Sequence, residues 1–183
     1  MRTILIIHGI GGHAGIHWQK WLADEHQKLG YTVLMPEMPE AVSPDRNEWL
    51  STIKNLLKDV ELKDLIIAGH SLGVTTALDF IEQSDQKING LVSVSGFAED
   101  YGADLNGEFL KQKSLDFKKI TDNLSWASVL YGDDDPYVTQ EALAYVADSL
   151  GVEPIVLANG GHLNSDTGYN TFPRLLELIG DKQ

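Results

Sequence analysis

The stretch from Asp64 to Phe80 narrows the choice of fold more than any other part of the chain. An apolar, β-branched run, Leu65 to Ala68, enters Gly69-His70-Ser71-Leu72-Gly73, and an apolar helical pattern leaves it through Phe80. Such a run, bounded by a glycine turn, reads as a strand covered on both faces, as in a parallel sheet. Gly-x-Ser-x-Gly between a strand and a helix is the context of a nucleophile elbow. Ser71 then sits at the tip of a strained turn. Gly69 and Gly73 let the incoming strand and outgoing helix pass without Cβ clashes. The helix start aims free N–H groups and its positive dipole end at the same point. The plainer alternative is an ordinary glycine-rich strand-to-helix turn.

The rest of the chain alternates in the same way. Ile4 to Ile7 is an apolar run that ends in the small-residue loop His8-Gly9-Ile10-Gly11-Gly12. A helix follows over 16–29, with Trp18, Trp21, Leu22 and Leu29 on a helical period and Gly30 as its stop. A strand over 31–35 leads into a loop held extended by Pro36, Pro39 and Pro44, and Asp45 is placed to cap a helix carrying Trp49, Leu50, Ile53, Leu56, Leu57 and Val60. Further strands are expected over 88–94, 126–131 and 155–158, with helices over 139–150 and 172–179. The pattern weakens over 97–123, which reads as a small insertion near the carboxyl end of a strand. Strand–helix alternation predicts a largely parallel sheet with helices on both faces, in one domain spanning 1–183.

In open parallel sheets ligands bind beyond the carboxyl ends of the strands. His8–Gly12, Ser71, the Asp133-Asp134-Asp135 run and His162 all lie just after predicted strands, so four loops converge on one edge. A serine hydroxyl needs a general base, and in this arrangement acid and histidine follow the nucleophile along the chain. Of six histidines only His162 lies after Ser71, and Gly160-Gly161 lets its loop bend. Among the aspartates, Asp135 fits the usual turn after this strand and is stiffened by Pro136; Asp133 is the reserve. The same acidic run also reads as a solvated turn or a calcium loop, although hard cations want ligands at spaced positions. The expected oxyanion donors are the backbone N–H groups of Leu72 and Ile10. Phe97, Tyr101, Phe109 and Tyr137 are candidates to line a substrate pocket, or else simply pack the insertion onto the body. His13 and His17 are four apart, but Ala14-Gly15 between them lacks the glutamate of a zinc-protease helix, so no metal is expected.

A formal net charge of −13 argues against nucleic acid or anionic membrane partners and favours solubility. No cysteine is present, so disulfides, a thiol nucleophile and a cysteine-based zinc site are excluded. The first apolar run is too short for a signal peptide and nothing approaches a membrane span, which makes a cytoplasmic location the expectation.

With these residues placed, the chain resembles the small α/β-hydrolases of the YdeN-type and retinoblastoma-binding-protein-9 group over nearly its full length. The resemblance lies in Ile-Ile-His8-Gly9, His17-Trp18-Gln-x-Trp21-Leu, Gly69-His-Ser-Leu-Gly73, Val94-Ser-Gly-Phe97, Asp134-Asp135-Pro136 and Gly160-Gly-His162. It implies a shortened α/β-hydrolase fold of about six strands, without the antiparallel first pair of larger relatives. It also implies a Ser–Asp–His hydrolase with no cofactor. The Leu-x-Cys-x-Glu motif credited with retinoblastoma binding in the animal relative has no counterpart in a chain without cysteine.

The expected function is therefore an esterase-like cleavage of a small soluble ester through an acyl-enzyme on Ser71. Two alternatives stand beside it: an amidase or thioesterase using the same residues, and a non-catalytic binding or regulatory protein that kept the fold.

Overall fold

The computed structural model describes residues 2–181. Strand β1 (Thr3–Ile7) is buried along its whole length, and its side chains alternate between two cores. Leu5 and Ile7 enter one hydrophobic cluster and Ile4 and Ile6 the other, on the opposite face of the sheet. That two-sided burial is why the run from Ile4 to Ile7 is apolar at every position rather than at every second one. Each fully buried aliphatic side chain of this kind contributes roughly 1.5–3 kcal/mol relative to leaving it in water.

Strands β2 (Thr32–Leu34), β3 (Leu65–His70), β4 (Ile88–Val94), β5 (Leu124–Gly132) and β6 (Ile155–Leu157) complete a six-stranded sheet in the order β2-β1-β3-β4-β5-β6. Every pairing is parallel. The helices cover both faces: α1 (Gln19–Lys28) and α7 (Pro173–Gly180) pack on one side, where Trp18, Leu22, Leu175 and Ile179 join a shared core. On the other lie α2 (Arg46–Leu57), α3 (Leu72–Glu82), α4 (Asp104–Lys111), α5 (Phe117–Asp122) and α6 (Gln140–Leu150). This is the shortened α/β-hydrolase arrangement. From β1 the chain steps outward to β2 and then returns across β1 to β3, so the loops after β1 and β3 diverge and open a crevice at that switch point.

Local chemistry explains most element ends. The Asp45 carboxylate accepts the N–H groups of Asn47 and Glu48 at 2.9 Å each and starts α2, and Gly151 closes α6 at a left-handed φ of 68°. Helix α1 starts at Gln19, later than its apolar period predicts, because Gly15 (φ 84°) and His17 (φ 58°) hold the backbone out of helix just before it. The weakly patterned segment 97–123 folds as α4 and α5. It is tied down by Arg46, 3% exposed, whose guanidinium pairs with Asp79 at 2.6 Å and donates to the carbonyls of Phe109, Leu110 and Lys113. No helix among the described residues is long and apolar enough to cross a membrane.

Candidate active site

Ser71 joins β3 to α3 with φ 54° and ψ −125°, a conformation that residues bearing a Cβ rarely adopt. Strain of this kind costs on the order of 1–3 kcal/mol and persists only where surroundings over-determine it. The surroundings here are close. Ser71 N–H donates to the Val94 carbonyl at 2.9 Å, which ties the tip to β4. A Cβ on Gly69 would come within 2.9 Å of the Val74 backbone, and one on Gly73 would lie 2.5 Å from the Ile7 carbonyl oxygen. Gly69 thus gives the clearance between strand and helix that the sequence motif predicts. Gly73 gives a different one: it lets α3 press on the carboxyl end of β1.

That contact brings the β1 loop against Ser71. A Cβ on Gly9 would lie 2.9 Å from Ser71 Cβ, so the two loops touch through a bare Cα. Within the β1 loop, Gly11 N–H is committed to Ala41 O at 2.7 Å and Gly12 N–H to Gly9 O at 3.2 Å, whereas the N–H of Ile10 has no acceptor among the described residues. Leu72 opens α3, so its N–H belongs to the first turn, whose donors have no partner inside the helix. His8 braces this loop: its Nε2 accepts Met38 N–H at 3.1 Å, so Nδ1 carries the proton and donates to Gly9 O at 2.8 Å.

The acidic run divides its work by backbone direction. Asp133 Oδ1 accepts the N–H of Asn159 at 2.8 Å and Asp134 Oδ1 that of Gly161 at 2.7 Å, so both hold the loop that carries His162. Asp135 alone faces the imidazole, with Oδ2 accepting from His162 Nδ1 at 2.7 Å. Its other oxygen accepts the N–H groups of Tyr137 at 2.9 Å and Val138 at 3.1 Å, and its side chain is fully shielded from solvent. Of the two aspartates weighed for contact with His162, it is Asp135 and not Asp133 that makes it. No cluster of three or more His, Asp or Glu side chains placed to hold a metal ion occurs among the described residues.

His162 is also held from behind. His70 Nε2 donates to the His162 carbonyl at 2.9 Å, and the two rings lie 4.9 Å apart. Complete burial pushes the His70 pKa well below its ordinary value, and the neighbouring His162 pushes it further down, so His70 acts as a neutral spacer. Tyr137 packs edge-on against the His162 ring at 5.2 Å.

Ser71, His162, Ile10 and Tyr137 line one cavity of about 430 Å³, together with Tyr101, His17, Leu105, Asn106 and Asn164. Ser71 and His162 share this wall without a hydrogen bond between their side chains. Leu72, the residue after Ser71, is fully buried and is not among the residues that line the cavity. No lysine or arginine lines it, and Asp104 is its one carboxylate.

Two expectations about the pocket need correcting. Phe97 is fully buried in the core and does not line the cavity. The turn that precedes it, with Ser95 at φ 48°, swings the ring inward against Tyr101, 5.1 Å away. Phe109 likewise packs into the core against Trp49. Tyr101 and Tyr137 do line the cavity, and the start of α4 (Asp104, Leu105, Asn106) roofs it. Sequence reasoning missed His17 and Asn164 as wall residues; the expectation of a continuous helix over 16–29 hid the first.

Comparison with known proteins agrees with this architecture. The chain is 26% identical over 180 residues, 97% of its length, to YdeN of Bacillus subtilis strain 168, a protein named as a hydrolase, of which 94% is covered. The crystal structure of the ydeN gene product superposes with a TM-score of 0.92 over 100% of this chain and 98% of that one, at 26% identity. An extracellular alpha/beta-hydrolase from a Paenibacillus species shares the fold at 20% identity, with a TM-score of 0.69 over 100% and 99% of the two chains. The serine hydrolase family model matches residues 4–181, and the chain therefore belongs to the serine hydrolase family.

Proposed function

We propose that the protein is an esterase-like serine hydrolase in which Ser71, His162 and Asp135 act as one proton-relaying unit. The observation that carries this reading is the 2.7 Å bond between Asp135 and His162 in the wall that also holds the strained Ser71. Ser71 Oγ attacks the ester carbonyl while His162 Nε2 takes its proton, and Asp135 holds the ring in the tautomer that leaves Nε2 free to accept. The N–H groups of Ile10 and Leu72 receive the developing oxyanion, each contributing roughly 3 kcal/mol to the transition state. His162 then protonates the departing alcohol. A water molecule, deprotonated by the same imidazole, releases the acid.

A cavity of about 430 Å³ with partly apolar walls (Ile10, Leu105, Val138) and no lysine or arginine suits a small uncharged ester. The intact acid–base pair and the uncommitted loop N–H are features a purely binding descendant of the fold has no need to keep. The test is hydrolysis of 4-nitrophenyl butyrate, its alkyl thioester and its amide, beside Ser71→Ala. The ester should be cleaved fastest, and the variant should lose at least about a thousandfold in kcat. Hydrolysis that survives in the variant rejects the reading, and faster thioester or amide cleavage reassigns the bond.

A further inference from the structure

His17 sits in the cavity wall with Ser71, His70 and His162, but no step above uses it. It lies just ahead of α1 at φ 58°, a left-handed conformation that costs a side-chain-bearing residue on the order of 1 kcal/mol or more. On one edge, Nδ1 meets the backbone N–H of Ser165 at 3.2 Å and the Ser165 hydroxyl at 2.8 Å. A backbone N–H can only donate, so Nδ1 must accept, and the ring proton resides on Nε2. Ser165 does not line the cavity whereas His17 does, and Nε2–H lies on the ring edge turned away from Ser165. That nitrogen has no protein partner among the described residues and is not sealed from solvent.

We infer that His17 is a fixed hydrogen-bond donor to the substrate, recognising an acceptor oxygen outside the scissile carbonyl. This rests on the serine-hydrolase reading of the same cavity. Two other side-chain donors of the wall are already engaged, His70 Nε2–H with His162 O and Asn106 Nδ2 with Tyr101 Oη. A charged imidazolium would turn a second N–H against the Ser165 donors. Burial lowers the His17 pKa; Asp166 pulls it up and His162 pushes it down again, and the net downward shift favours the neutral ring. With no lysine or arginine in the wall, a carboxylate or phosphate would meet no counter-charge. A single neutral N–H suits an ether, hydroxyl or second carbonyl oxygen.

Two isosteric pairs of esters test this. The pair 4-nitrophenyl methoxyacetate and 4-nitrophenyl butyrate places an ether oxygen in the acyl chain; 2-methoxyethyl butyrate and butyl butyrate place it in the alcohol. The ratio of kcat/KM for ether over carbon ester is measured in the wild type and in His17→Phe, so that intrinsic reactivity cancels. The ratio should fall roughly tenfold in one of the two arms. His17→Gln, whose amide still donates, should keep most of it. A ratio unchanged in both arms, or an equal loss with all four esters, overturns the inference. ¹⁵N NMR of the wild-type imidazoles reads the ring directly, whatever the variants do: a proton on Nε2 is expected, and one on Nδ1, or on both at neutral pH, overturns it. A wild type that cleaves none of the four esters sinks the hydrolase reading itself, an outcome distinct from turnover with an unchanged ratio.

Discussion

Replacing Asp135 by Asn changes one atom and should nearly abolish turnover, for a reason visible in its hydrogen bonds. The carboxylate accepts three donors: His162 Nδ1–H on Oδ2, and the N–H groups of Tyr137 and Val138 on Oδ1. Two backbone donors pin the oxygen of the new amide on the Oδ1 side. The amide NH₂ must then face His162 Nδ1. An N–H against an N–H is repulsive, so the imidazole switches tautomer, accepts at Nδ1 and carries its proton on Nε2. That nitrogen can no longer take a proton from Ser71. Triads disabled in this way lose about 10⁴ in kcat, or about 5.5 kcal/mol of barrier. The assay is kcat/KM on 4-nitrophenyl butyrate at neutral pH, with thermal unfolding run beside it to confirm the fold. Asp133→Asn and Asp134→Asn are the matched controls, since each needs only one acceptor for one backbone N–H and Asn retains it. Both should stay within about tenfold of wild type. A loss below tenfold in Asp135→Asn, or equal losses in all three, would refute the reasoning.

Three other perturbations have defined outcomes. Gly73→Ala places a Cβ 2.5 Å from the Ile7 carbonyl oxygen and 2.7 Å from that of His8, both backbone. It should cost about 1–3 kcal/mol or more in urea unfolding, and wild-type stability would contradict the packing argument. Arg46→Met strands the Asp79 carboxylate, 1% exposed, with only Lys113 beside it. A loss of about 3–5 kcal/mol is expected, much of it recovered when Asp79→Leu is added, and a double variant no better than the single one would count against that explanation. Burial lowers the pKa of His8, His17, His26 and His70, so below about pH 6.5 the unfolded chain binds more protons than the folded one. Stability should be fully present above that pH and decline from there toward pH 5, by at most about 1.4 kcal/mol per pH unit for each group. A urea midpoint that is flat or rises on acidification over this interval would contradict it.

The sequence carried the frame of the site because its constraints are local and chemical. A strand buried on both faces must be apolar throughout, and a strained turn flanked by close-packed backbone must have glycines, so β1, β3 and the elbow were legible. Chain order alone pointed to His162, and the ring does share the cavity wall with Ser71. What escaped depends on direction rather than composition. Asp133, Asp134 and Asp135 are chemically identical, and only the path of the backbone sends two of them to the 159–161 loop and one to the imidazole. Phe97 looked like a pocket residue because it follows a strand, yet the left-handed Ser95 turns it into the core. The same holds for His17: apolar periodicity extended a helix across it, and nothing short of its positive φ reveals that the ring leaves the helix for the cavity wall.

The proposed reaction needs Ser71 as the nucleophile and His162 as the base that activates it. Incubating the protein with a fluorophosphonate and locating the adduct by peptide mass spectrometry addresses both parts, with the rate followed in wild type and in His162→Ala. One adduct on Ser71, absent in Ser71→Ala and formed at least about a hundredfold more slowly without the imidazole, is the predicted result. An adduct on another residue, or labelling of Ser71 at an unchanged rate in His162→Ala, would contradict it.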